Sequence, residues 1–339
     1  MTNAQNFSIK NCRLESPSAF TIPIRTSNTG TMSGNTIRVT GGGAAIAYVD
    51  VYDSAGLLFD NNTLTGGYQQ NYGSSNIISN SRITAPPGLG SNFMAALVVS
   101  NFGQHTQVVG NTLDGSWNGT IVAGSPEFSS TDDGVIVQDE TDLLVQNNIV
   151  RNVFDCGFES SGQVSVATIR GNQISNAGIC GVGAWYWSSV VGLTASQNTV
   201  DNSGSLLLFR RNFGLRPAGW DELHRLPADV AVLFRDNVFD GNTFTNPNSF
   251  SAGANAASNV PIYDNMGYFG DVSSIPGERE PVPPGDFQLT NNLFRNNQFG
   301  RVRAAPYFGA NAPVPGRVVD GGGNVCQTPT SANYPLNCH

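Results

Sequence analysis

The chain has 339 residues, of which only 12% are charged, and its formal net charge is -8. That balance excludes the basic stripe a nucleic-acid backbone requires, and no apolar run nears the roughly 20 residues of a membrane span. Abundant Gly (39) and recurrent Asn disfavour helices, because Gly is conformationally free and Asn prefers turns and left-handed positions.

In chain order, one pattern recurs: a short apolar strand, an Asn, then another short apolar strand. It reads FSIKNCRL around Asn11, MSGNTIRV around Asn35, LLFDNNTL around Asn62, IISNSRI around Asn80 and QVVGNTL around Asn111. It continues as LLVQNNIV at Asn148, ATIRGNQI at Asn172, TASQNTV at Asn198, LFRDNVF at Asn237, QLTNNLF at Asn292 and DGGGNVC at Asn324. The step is 24 residues from Asn11 to Asn35, 27 from Asn35 to Asn62, 24 from Asn148 to Asn172 and 26 from Asn172 to Asn198. Longer steps, such as the 55 residues from Asn237 to Asn292, read as a base period carrying loop insertions. At a sharp corner Asn tolerates the left-handed conformation, and its amide can bond the Asn of the rung above and below. The expectation is an all-β, single-stranded parallel β-helix solenoid of about ten rungs stacked on an Asn ladder. It forms one domain over residues 1–339, with long insertions at about 212–229 and 245–286. The 18-residue step from Asn62 to Asn80 is too short for a rung, so one of the two is not a ladder member.

The ends and cysteines add less. The first rung begins almost at once, so residues 1–8, a partner subunit or a longer chain must cover an otherwise open strand edge. Association through that end is one such route. No charged-then-apolar signal segment precedes the rung. Cys326 and Cys338 flank a polar stretch and could close a terminal loop, while Cys12 reads as a small apolar filler.

Three consecutive rungs concentrate chemistry: STDDGVIVQ (130–138), VFDCGFES (153–160) and AGICGVGAWYW (177–187). Rungs lie about 4.8 Å apart, so Asp133 and Asp155 can approach closely and split their pKa values into an acid and a base. Asp-Gly before a strand is also ordinary turn chemistry, which would make both aspartates turn formers. If Phe158 points inward, Glu159 points outward in a column with Ile136, Gly183 and Leu207. The next column holds Gln138, Ser161, Trp185 and Phe209, and beyond it lie Trp187 and Arg211. With Tyr186 and Arg210, these residues make a surface on which rings stack on sugars and charged groups fix hydroxyls. His224 stands alone in the first insertion, His105 in a turn and His339 at the terminus, so no His cluster suggests a transition metal.

The repeat, quoted above over nearly the whole chain, resembles the pectate-lyase-like superfamily of right-handed parallel β-helices. That resemblance implies three strands per coil, with the Asn corner between the second and third. GVIVQ (134–138), GFESS (157–161), GVGAW (181–185) and SLLLF (205–209) are then first strands, on the face where this superfamily binds extended saccharides. The three rungs also resemble the core of polygalacturonase-type glycoside hydrolases, with T-D-D-G placing Asp133 and F-D-C placing Asp155 on that family's aspartates. Phe154 stands where that family has another aspartate, Gly178-Ile179-Cys180-Gly181 replaces its His rung, and no R-I-K follows.

The expected function is cleavage of a polysaccharide by a glycoside hydrolase using Asp133, Asp155 and Glu159, with no cofactor. Two alternatives stand beside it. The superfamily resemblance implies a lyase acting on a uronate polymer, with Ca²⁺ held by Asp132, Asp133, Asp155 and Glu159 and with Arg210 or Arg211 as base. The other is a non-catalytic carbohydrate-binding or adhesin module. Each reading implies a saccharide partner and a secreted or cell-surface protein.

Overall fold

The computed structural model describes residues 1–43, 45–86, 94–117, 131–178, 180–184, 189–203, 205–210, 232–245, 265–270, 287–300 and 318–326. Among these, every regular element is a strand, and no helix is long and apolar enough to cross a membrane. The insertion expected at 212–229 lies outside them.

Every named strand pairing is parallel, and each rung feeds three sheets in turn. The first sheet stacks Ala47–Tyr52, Met94–Asn101, Thr131–Gln138, Cys156–Ser161, Cys180–Ala184 and Ser205–Arg210, with others between and beyond. Gln107–Val109, Thr141–Gln146 and Gln163–Arg170 follow one another in the second sheet. Thr112–Asp114, Ile149–Val153 and Gln173–Ala177 do so in the third. Thr63–Asn71 turns from the third sheet into the first without a break. Gly66 makes that bend at φ +147°, where a Cβ would lie 1.8 Å from the Ala47 carbonyl oxygen. Only glycine fits there.

Alternate residues of each strand enter the coil. Val135, Val137, Val145, Val150, Ile169 and Ile174 form part of a continuous apolar core running along the axis. Burying each such side chain is worth about 1.5–3 kcal/mol, which is why short strands of two-residue period suffice to hold a rung.

Asn side chains line the corner between the second and third sheets. Asn148 donates its backbone N–H (2.9 Å) and its Nδ2 (3.0 Å) to Asn172 Oδ1, and Nδ2 also reaches the Val108 carbonyl (2.8 Å). The same double bond links Asn35 to Asn62, Asn111 to Asn148, Asn172 to Asn198, Asn198 to Asn242, Asn242 to Asn297 and Asn297 to Asn324. Asn11, Asn237 and Asn292 depart from the expected ladder, and Asn80 is the one of the Asn62–Asn80 pair that stands outside it. Asn11 and Asn80 occupy the left-handed position one residue earlier (φ 54° and 47°). Their ladder places belong to Cys12, whose N–H donates to Asn35 Oδ1, and to Ser81, which bridges Asn62 and Asn111. Asn237 and Asn292 bond one another at a bend within the second sheet, five residues ahead of the ladder members Asn242 and Asn297. Both kinds of Asn precede a short apolar strand, so local pattern alone does not separate them.

Asn265–Gly270, inside the span read as an insertion, is a strand of the first sheet paired with Ser205–Arg210. Its two glycines and terminal Asn masked the strand signal. At the start of the chain, Thr2 and Gln5 bridge to Arg25 and Asn28, adding a further partial turn. Cys326 is disulfide-bonded, whereas the Cys338 end of the expected loop lies outside the described residues.

Candidate functional site

The first sheet brings the three predicted carboxylates together. Val135, Phe158 and Val182 pair across three rungs and point into the core, so Glu159 leaves the coil on the opposite face, in register with Ile136 and Gly183. Just before this stretch the strands close on the third sheet. A Cβ on Gly134 would meet Val150 Cγ1 at 2.3 Å, and one on Gly157 would meet Ile174 at 2.6 Å. The two glycines let the strand starts sit low, with Asp133 and Asp155 beside them.

Asp155 donates its N–H to the Asp132 carbonyl (2.7 Å), while Cys156 donates its N–H to Asp133 Oδ1 (2.9 Å). Asp133 is therefore level with Cys156, one place off Asp155, and its carboxylate crosses diagonally. Carboxylate oxygens of Asp133, Asp155 and Glu159 all lie within 4.8 Å of one another. Their exposures are only 1%, 9% and 3%. Burial pushes the Asp133 carboxyl well above the usual range, and the negative charges of Glu159, Asp155 and Asp132 push it further, against the Cys156 N–H bond.

A disulfide between Cys156 and Cys180 floors the cluster, with Cα atoms 4.5 Å apart and partners in direct register. Asp155 Oδ1 lies 3.1 Å from Cys156 Sγ. Bonded sulfurs offer no thiolate to a metal, so the donor set here is carboxylate oxygen alone. The pairing was readable in principle: the two cysteines stand 24 residues apart, one full rung.

The other predicted residues separate. Gln138 pairs with Ser161 two positions past Glu159, roughly 7 Å along the strand. Leu207 does not share the Glu159 column; it pairs with Val182 and is buried, while Leu208 pairs with Gly183 and Phe209 with Ala184. The rung from Val182 to Leu207 is one residue longer than that from Phe158 to Val182, and a one-residue slip exchanges the faces. Arg210 ends its strand, its side chain lying outside the description. Trp185, Tyr186, Trp187 and Arg211 also lie outside the described residues.

A second buried carboxylate escaped the sequence reading. Glu140 accepts hydrogen bonds from the Ser100 and Thr106 hydroxyls, and burial pushes its pKa up to about 6. Glu followed by Thr in a turn carries no signal that it will be enclosed.

Comparison with known proteins gives one family model, described as "Right handed beta helix region", over residues 47–203. No curated protein matches the sequence. Among solved structures, the chain is similar to the Dettilon tailspike protein (TM-score 0.51, 13% identity), covering 94% of this chain and 60% of that one. It is also similar to PfbA, a surface adhesin of Streptococcus pneumoniae (0.49, 10% identity), over 84% of this chain and 65% of that one. A third is endo-xylogalacturonan hydrolase from Aspergillus tubingensis (0.44, 9% identity), over 96% and 91%. The chain thus spans about three fifths of the tailspike chain's length. Three parallel sheets in rung-by-rung register give this chain the parallel β-helix fold, and its residues 47–203 match the right-handed β-helix family model.

Proposed function

We propose that the chain cleaves a glycosidic bond in a polysaccharide lying across the first sheet, with Asp133, Asp155 and Glu159 as the acid and base. One observation carries this: three buried carboxylates share a space of 4.8 Å, where burial and the neighbouring negative charges raise the Asp133 carboxyl well above the usual carboxylate range. A protonated carboxyl beside an ionised one is the pair that glycoside hydrolysis needs, the first to protonate the leaving oxygen and the second to activate water or attack. Asp155, the most exposed of the three, is nearest the substrate side. The disulfide within the cluster favours an oxidising compartment, and so a secreted or cell-surface protein.

The same oxygen donors favour a second reading, β-elimination from a uronate polymer. Asp133, Asp155 and Glu159 would hold Ca²⁺, which supplies neutralisation of a uronate carboxylate when bound.

A polysaccharide panel read for new reducing ends and for unsaturated-uronate absorbance tests both. Asp155→Asn and Glu159→Gln should each abolish product. Undiminished activity in both overturns the site. Unsaturated product that disappears with a chelator selects the lyase, and no product from any polymer selects a non-catalytic binding module.

A further inference from the structure

The corner between the first and second sheets carries an unusual column. Its residues, one per rung, all adopt the left-handed conformation: Thr26 (φ 49°), Asp53 (47°), Tyr72 (57°), Phe102 (54°), Asp139 (53°) and Gly162 (66°). Asp and Gly suit such a position, whereas bulky aromatics are outliers there. Two consecutive rungs nevertheless carry aromatics. The rings of Tyr72 and Phe102 stack at 5.0 Å and 12°, and Tyr52 meets Tyr72 edge-on at 5.4 Å. Burial does not account for Tyr72, which is 37% exposed beside a 45% exposed Tyr52, and Phe102 is only half-buried. Strained backbone that presents rings to solvent points to a function for the rings.

A groove of about 480 Å³ runs beside them. Gly73 and Gly103 lie between the aromatic column and the opposite wall, their Cβ directions turned into the coil toward Asn76 and Glu140. That wall is a second column, Ser74, Gln104, Thr141 and Ser165, in rung-by-rung register. It offers hydroxyls and an amide at a repeat of about 4.8 Å, close to the length of one pyranose unit. Among the described residues no Lys or Arg lines the groove, and the one charged residue lining it is Asp139, whose carboxylate accepts the Gln163 N–H.

We propose that this corner groove binds a neutral, hydroxyl-rich glycan chain aligned with the solenoid axis, sugar faces against Tyr72 and Phe102. Apolar sugar faces match the rings, and sugar hydroxyls match the Ser, Gln and Thr column. Asp139 and the net charge of -8 oppose a uronate polymer. The groove lies at the ends of the first-sheet strands, about 20 Å along the strand from Asp133 and about 10 Å from Glu159. It is therefore an anchoring site, and it stands whether or not the cluster is catalytic.

Calorimetric titration of the full chain with cellohexaose, maltohexaose, laminarihexaose, chitohexaose and hexagalacturonate tests this. At least one neutral hexaose should bind, and more tightly than hexagalacturonate. Tyr72→Asn and Phe102→Asn should each weaken that binding by roughly tenfold. Their melting temperatures should equal or exceed wild type, because Asn tolerates the left-handed conformation. The weakening caused by Tyr72→Asn and Phe102→Asn should be the same in a Glu159→Gln background, which separates this site from the cluster. Failure of every neutral hexaose to bind, tighter binding of hexagalacturonate, or undiminished affinity in both Asn variants overturns the proposal.

Discussion

The two ends of the first-sheet strands carry opposite chemistry on the same repeating frame. At the strand starts, Asp133, Asp155 and Glu159 are buried over a disulfide, and like charges are forced close. At the strand ends, Tyr52 and Tyr72 are exposed with a half-buried Phe102 stacked on them, and the strain sits in the backbone. In a solenoid each position in the rung becomes a column along the axis. A column turned inward accumulates electrostatic stress, and one turned outward builds a platform. The comparison teaches that burial decides which residue types become reactive, while exposure decides which become adhesive.

The largest effect expected from disturbing this contrast is on activity. Asp133→Asn should reduce cleavage by roughly 10²- to 10⁴-fold while leaving hexaose binding at the corner intact. It should also change the pH profile of stability. The folded pKa of Asp133 is raised, so its stabilising contribution is complete below about pH 4 and is lost as pH rises toward the folded value. Denaturant titrations above pH 4 should therefore show a flatter profile in the Asn variant.

Next comes the bridge. Cys156→Ala with Cys180→Ala opens a loop of 24 residues and should cost about 3 kcal/mol in urea unfolding. If corner binding falls as far as cleavage does, the two regions are not independent.

Glu140 lies behind the corner, where a Cβ on Gly103 would meet its Oε2 at 2.4 Å. Its pKa rises from 4.5 to about 6, so its contribution is present below pH 4.5 and lost as pH climbs through 6. That shift corresponds to about 2 kcal/mol. Glu140→Gln should be more stable by about that amount at pH 7.5, and flat between pH 4.5 and 6. The smallest effect expected is a gain of about 1 kcal/mol in Phe102→Asn, from relief of the left-handed strain.

Much of the coil is legible in the residues because its signal is local and repeated. Asn35, Asn111, Asn148, Asn172 and Asn198 each stand between two short strands and each donate twice to the Asn of the next rung, while Asn62 donates its N–H to Ser81. Legibility fails where two local environments look alike. Asn80 and Asn237 carry the same flanking pattern as true ladder members but sit at a left-handed corner and at a strand bend. The carboxylates were found from their one-rung spacing, whereas the Cys156–Cys180 pair at the same spacing was passed over. The Leu207 column was misplaced because one rung is a residue longer than its neighbour.

By itself the sequence determined a coil of short strands with acidic rungs at 131–161, since strand period, corner residues and rung length are properties of adjacent residues. Only the tertiary structure decided that Asp133 reaches Glu159 diagonally, that Glu140 is enclosed, and that Tyr72 and Phe102 share a left-handed column. Those facts depend on register between residues 20 to 40 positions apart. Register is the sum of every rung length and bend along the way.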